Sequence, residues 1–219
     1  PLLVTVRDDY NTRGEWELMH DRNAFIGYVH YRLKTWPQFN EKLLDNERFG
    51  RFLLSNRGGT GLIDSLTSGR SGGKGKMIAV YDFVRRNFNW NGEYAMVAGQ
   101  DFDDFMKTRT GSSAELNLIL VNMLQRAGIQ ADPVLIRTAN LGSPEKIYPV
   151  KDQFNHVIAV ARVAGEQYLL DVTSNSNSFN ELNILDIGTQ GWIVREKDPG
   201  WIEIFAPGGK VKEEEEPVF

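Results

Sequence analysis

No cysteine occurs anywhere in the 219 residues. Disulfides, cysteine-built zinc sites and every thiol mechanism are therefore excluded for the chain as it stands. An oxidising compartment is compatible with that composition. Histidine is scarce, with three copies, and His20 and His30 have neither metal-ligand spacing nor an acidic partner. There is no positive excess either: the net charge is −4, so nothing global points to nucleic acid or an anionic membrane surface as partner. Long apolar runs are missing, and none approaches the length of a membrane span. The chain starts at Pro1 rather than at methionine; this reads as a processed chain or an excised fragment whose targeting signal has been lost. No internal repeat stands out.

What is there suits a folded, water-soluble domain. Apolar residues make up 41% and charged residues 25%, enough for one large core or two small ones. Five Trp and twelve Phe supply material for burial. Much of the acidic excess sits in the run from Glu213 to Glu216, most simply a solvated tail.

Periodicity divides the chain. Residues 2–6 and 24–33 have strand-like content. Phe39, Leu43, Leu44, Phe49, Phe52 and Leu53 form a broken helical stripe, with Thr35 as a candidate cap. Residues 55–75 are rich in Gly and Ser and read as a flexible connection. Their Gly-Lys pairs lack the spacing and the following Ser/Thr of a phosphate loop. Residues 77–88 predict a helix, closed by turn chemistry at Asn89-Trp90-Asn91-Gly92. The strongest helix follows: Leu116, Ile119, Leu120, Met123, Leu124 and Ala127 recur at helical spacing before Gly128. Its start fits a capping box, with Ser112 as N-cap and Glu115 at N3. The period then changes to two. Strands are expected at residues 132–137, 156–163 and 167–172, with a hairpin turn at Ala164-Gly165-Glu166, and again at 192–195 and 201–205. A long loop separates residues 139 and 154.

One histidine has suggestive company. His156 opens a strand and Asp171 ends its hairpin partner, so pairing brings an imidazole and a carboxylate together. Ser113, in the first turn of the best helix, completes a nucleophile–His–Asp set where the helix terminus favours developing negative charge. The same residues also have plain structural uses: serines before helices are usually caps, and a strand-opening His commonly satisfies its polar atoms locally. Asp101, Asp103 and Asp104 read as a surface cluster rather than a cation site. No cofactor or metal is expected.

Several segments resemble one family. Gly111-Ser112-Ser113-Ala114-Glu115-Leu116 is similar to the start of the nucleophile helix in transglutaminase-like proteins, and Arg126-Ala127-Gly128-Ile129-Gln130-Ala131 to the exit from that helix. Phe154-Asn155-His156-Val157-Ile158 resembles the strand bearing the family's histidine. Tyr168-Leu169-Leu170-Asp171-Val172-Thr173 resembles the strand bearing its aspartate. Tyr81-Asp82-Phe83-Val84 with Asn89-Trp90 suits the preceding helix. The matches span about half the chain, and the Asn155-His156-Val157-Ile158 strand with Thr35-Trp36 upstream resembles a bacterial subgroup in which a β-rich domain of unknown function comes first. In this resemblance Ser113 stands at the position of the family's cysteine, and Asn117 replaces a small residue.

The resemblance implies an α+β fold of papain type, with the nucleophile helix packed on an antiparallel sheet. It divides the chain into an N-terminal segment (residues 1–60), a transglutaminase-like domain (61–180) and a C-terminal extension with an acidic tail (181–219). It implies a catalytically degenerate domain with a binding or architectural role in the cell envelope, outside the cytoplasm, whose cleft takes a peptide, protein or glycan and no nucleic acid. The alternative is an amide-bond hydrolase or acyltransferase in which Ser113, or a cysteine restored there, is the nucleophile, His156 the general base and Asp171 its orienter.

Overall fold

The helix with the written-out start is the pillar of the molecule. The computed structural model describes residues 35–55, 60–173, 179 and 181–205. The expected strands at 2–6 and 24–33 and the acidic run at 213–216 lie outside the described residues. In chain order the helices are α1 (Trp36–Asp45), α2 (Gly50–Leu53), α3 (Thr60–Thr67), α4 (Gly72–Asn87), α5 (Phe102–Thr108) and α6 (Ser113–Arg126). The strands are β1 (Asn89–Trp90), β2 (Thr110–Gly111), β3 (Gln130–Ile136), β4 (His156–Val163), β5 (Glu166–Leu170), β6 (Thr189–Ile193) and β7 (Gly200–Ile204).

Every residue of α6 from Ser113 to Leu124 is buried. Its periodic apolar stripe meets β3 and β4, while α2, α3 and α4 pack around its other sides. A helix covered all round must satisfy its polar groups internally. The Asn122 amide nitrogen does so by donating to Leu53 O at 2.6 Å and Ser55 O at 3.0 Å, which ties the end of α2 and the residues after it to the pillar.

β3 to β7 form one antiparallel sheet in the order β5-β4-β3-β6-β7. Alternation along β4 sorts its two faces. Val157, Ala159, Ala161 and Val163 join the large core with α6. Ile158 and Val160 join Val134, Ile136, Ile193, Ile202 and Ile204 in a second cluster, covered by Leu182 and Ile187. That cover places the chain segment after β5 against the sheet. β4 and β5 are joined through Ala164 (φ 54°) and Gly165 (φ 82°), and two successive positive φ values are the backbone of a type I′ hairpin turn.

Aromatic packing ties the N-terminal described segment into the same core. Trp36 contacts the rings of Phe39, Phe154, Trp192 and Trp201, and its indole donates to Lys146 O at 2.6 Å. Thr35 caps α1, accepting from Gln38 N at 3.4 Å, as its sequence context suggests.

Three expectations need correction. The Gly/Ser-rich stretch at 55–75 is not simply a connection: it contains α3, and α4 starts at Gly72, within the glycine run, rather than at 77. A Cβ on Gly73 would lie 2.7 Å from Val163 Cγ1, so close helix–strand approach, not loop flexibility, explains a glycine there. The helix α5 was not anticipated; Asp101 caps it by accepting from Asp104 N at 3.1 Å, and Lys107 pairs with Asp104. The expected turn at Asn89-Trp90 is a short strand, β1, parallel to β2. Other strand ends shift by one to three residues, and Asp171 falls just after β5 rather than inside it.

Candidate functional site

The start of α6 is built from reciprocal hydrogen bonds. Ser112 Oγ accepts from Ala114 N at 3.2 Å, and Glu115 reaches back to accept from Ser112 N at 3.1 Å, with the Ser112 hydroxyl also bonded to the Glu115 carboxylate. The other oxygen of Glu115 accepts from Gly99 N at 2.7 Å and Gln100 N at 3.1 Å. This carboxylate is nearly fully buried, and it anchors the loop before α5 onto the helix terminus.

Ser113 follows, also fully buried. Its hydroxyl accepts from Ala95 N at 3.0 Å and donates to Ala95 O at 3.3 Å, while its backbone N–H donates to Glu93 O at 3.0 Å. The hydroxyl therefore has both its donor and an acceptor function engaged by one neighbouring peptide segment. The next residue of interest on this face is Asn117, one turn on. Its amide nitrogen lies 2.7 Å from Asp171 Oδ1 and 2.8 Å from Val157 O, and its oxygen accepts from Val172 N at 3.2 Å.

The hairpin supplies the other two expected residues. Ala159 pairs with Leu170, so the register carried towards the open end sets Asp171 opposite Ile158 and diagonal to His156 on the neighbouring strand. His156 Nε2 stands 3.9 Å from Asp171 Oδ1. Asp171 is held by its own surroundings: Thr173 N donates to Oδ1 at 3.2 Å, the Thr173 hydroxyl to Oδ2, and Tyr81 OH to the backbone carbonyl at 2.9 Å. Burial pushes the Tyr81 phenol well above the usual tyrosine range, with the Asp171 charge adding to it.

A third acid joins them. Asp186 ends a short 3-10 turn (Ile184–Asp186) capped by Asn183, whose Oδ1 accepts from Leu185 N at 3.0 Å. Its Oδ1 lies 3.6 Å from His156 Nε2, nearer than that of Asp171, and both residues are completely buried. Neither ring nitrogen of His156 and neither carboxylate oxygen of Asp186 has a hydrogen-bond partner among the described residues. Burial raises the Asp186 pKa; His156 opposes the rise and the Asp171 charge adds to it. Tyr94 closes the arrangement, its ring meeting the His156 ring edge-on at 4.7 Å. The Tyr94 phenol is pushed up to about 12, first by burial and then by the Asp186 and Asp171 charges.

Ser113 and His156 thus meet one loop, since Ala95 binds Ser113 and its neighbour Tyr94 abuts His156, while Asp171 stands beside His156. The structure makes no hydrogen bond between Ser113 and His156 among the described residues. Asp186 and Tyr94 were not anticipated. A lone acid inside the apolar run Leu182 to Ile187 is the one signal that could have marked Asp186. The acidic cluster near α5 lies apart, beside a concavity of about 460 Å³ lined by Glu47, Arg51, Asp101, Asp104 and Lys107.

Residues 60–182 match the model of the transglutaminase-like superfamily. The chain belongs to that superfamily. Its α+β fold, with α6 against an antiparallel sheet, accords with a solved structure of a candidate protease from Parabacteroides distasonis, which superposes with a TM-score of 0.53 at 16% identity over 76% of this chain. This transglutaminase-like chain spans 30% of the length of that protein. A candidate cysteine protease from Cytophaga hutchinsonii matches at a TM-score of 0.40 and 16% identity, over 66% of this chain and 47% of its own. A TGase matches at 0.39 and 13%, over 80% and 50%. No curated protein sequence matches the chain. Among the described residues of the transglutaminase-like chain, no helix is long and apolar enough to cross a membrane.

Proposed function

We propose that this transglutaminase-like domain is catalytically degenerate and serves a binding or architectural role in the cell envelope, with a peptide, protein or glycan as ligand. The observation that carries this reading is the state of the Ser113 hydroxyl, engaged on both sides by the backbone of Ala95 and fully buried. In the family resemblance Ser113 occupies the cysteine position. A thiol near pKa 8.5 is readily ionised beside a histidine, whereas a serine hydroxyl needs concerted general-base help and a formed oxyanion hole. Here the hydroxyl is spoken for by a peptide group. The Asp171 carboxylate adds support, being bonded to Asn117 and Thr173 while His156 stands 3.9 Å away. The extracytoplasmic setting is part of the same reading and agrees with the lack of cysteine.

The second reading is an amide-bond hydrolase or acyltransferase using Ser113, His156 and Asp171. It is favoured by one observation: the hairpin brings the imidazole and the carboxylate together next to a helix N-terminus.

Single-turnover reactivity of the chain and its Ser113→Cys variant separates the two. Each is exposed to a thiol-directed electrophile and to a panel of small amides and esters. Degeneracy expects an ordinary thiol in the variant and no turnover in either protein. A lowered thiol pKa with turnover abolished by His156→Ala would overturn it and leave an intact catalytic frame.

A further inference from the structure

We infer that His156, Asp171 and Asp186 form a binding site for one divalent transition-metal cation of the zinc class. The three residues each present a ligand atom within 4.8 Å of the others, and all three are buried. This departs from the expectation of no metal drawn from the sequence, where Asp186 was not seen to join the pair.

The spacing carries the inference. A proton shared between an imidazole and a carboxylate draws nitrogen and oxygen to about 2.7–2.9 Å. The observed separations from Nε2 are 3.6 Å to Asp186 and 3.9 Å to Asp171, too long for that. Ligand atoms bonded tetrahedrally to zinc at about 2.0–2.2 Å lie about 3.3–3.6 Å from one another. The two gaps from the imidazole therefore sit at and just above the separation that a small cation imposes, and the two carboxylates, within 4.8 Å of each other, close on the cation when it binds.

The second observation is polar satisfaction. Both nitrogens of His156 and both oxygens of Asp186 lack hydrogen-bond partners among the described residues, at positions with no solvent exposure. Buried groups of this kind are costly without compensation, and a dication answers two carboxylates at once. The imidazole selects within the divalent ions: calcium and magnesium prefer all-oxygen shells, while imidazole suits zinc and its transition-metal neighbours. Asn117 and Thr173 bond the Asp171 carboxylate from outside the trio, in the manner of hydrogen bonds that orient a ligating group.

The inference goes beyond the proposed binding role and does not depend on it. Zinc content after refolding is read without any turnover, so its failure leaves the Ser113→Cys result standing, although both sites draw on His156.

The test refolds the whole chain from denaturant after chelation, with and without zinc, so that access to the buried site does not limit loading. Zinc per chain is then measured after dialysis. One equivalent is expected, with a zinc-dependent rise in melting temperature. Asp186→Asn should lower zinc affinity at least about tenfold, and Asp104→Asn, at the exposed pair with Lys107, should leave it unchanged. Less than stoichiometric zinc in the refolded wild type, or equal binding by Asp186→Asn, overturns the site. Should that variant fail to fold, nitrogen NMR of the wild type decides. Zinc is expected to shift the ring signals of His156, and shifts confined to His20 or His30 overturn the proposal.

Discussion

The Asn117 side-chain nitrogen lies 2.7 Å from Asp171 Oδ1, while His156 Nε2 stands 3.9 Å from the same oxygen. An amide on the helix, rather than the imidazole on the strand, thus makes the close contact with this carboxylate. The same amide bridges α6 to Val157 O and Val172 N, so one side chain closes the gap between the helix, β4 and the chain just after β5.

Asn117→Ala removes those bonds and leaves buried backbone and carboxylate groups unmet. It is expected to cost about 1–3 kcal/mol, read as a fall in the urea midpoint at constant m-value. An unchanged midpoint would mean that water or a neighbour takes over the amide's partners.

Glu115 satisfies the N-terminus of α6 and two backbone N–H groups of the preceding loop. Glu115→Ala is expected to destabilise by about 2–3 kcal/mol, the scale of hydrogen bonds to a charged group together with a lost cap. Hydrogen exchange at Gly99 and Gln100 should quicken with it. A surface glutamate on α1, Glu41, serves as the control and should change stability little.

Tyr94 gives a pH signature. Burial first, then the charges of Asp186 and Asp171, raise its pKa to about 12, against about 10 in an unfolded chain. Between those values the folded protein keeps a proton that the unfolded chain has released. Stability therefore declines as pH rises from about 10, and the loss levels off above the folded value. Tyr94→Phe should flatten the fall of the urea midpoint across that window. Tyr81, also raised by burial, remains in both proteins and cancels in the comparison. Equal slopes for the two proteins would rule out a raised Tyr94.

Two glycines of α4 separate propensity from packing. Gly75 meets nothing nearer than Arg70 Cβ at 3.8 Å, whereas a Cβ on Gly73 would stand 2.7 Å from Val163 Cγ1. Gly75→Ala is expected to stabilise by about 0.5–1 kcal/mol through helix propensity. Gly73→Ala should forfeit that gain and lose stability, because Val163 is short and β-branched and yields little. Thermal melts of the two variants side by side provide the measurement, and equal gains would show that the strand moves aside.

That contrast also explains what could be read from the sequence. The start of α6 was legible because Ser112 and Glu115 are local signals of a kind that tertiary context does not override. β4 and its turn were legible from alternation and from Ala164-Gly165. Gly72 to Lys76 misled because glycine signals a loop by composition, while here one glycine serves a close approach visible only in three dimensions. The helix α5 is seven residues long with Asp103, Asp104 and Lys107 in it, too short and polar to show a period. His156 and Asp171 were legible as a pair through the hairpin. Asp186 lay beyond an intervening segment, in a 3-10 turn that has no sequence rhythm, so nothing local linked it to His156.

The two-residue turn at Ala164 and Gly165 has a consequence for how such a chain can change over time. Because it sets the register of β4 and β5, an insertion of one residue there would swing Asp171 to the opposite face of the ribbon. Left intact, the ribbon delivers imidazole and carboxylate as a single heritable cassette. The residue opposite them on α6 belongs to another piece of chain and can drift on its own. A lineage can therefore exchange one chemistry for another at this place by altering the helix or the turn that carries Asp186, without rebuilding the ribbon between them.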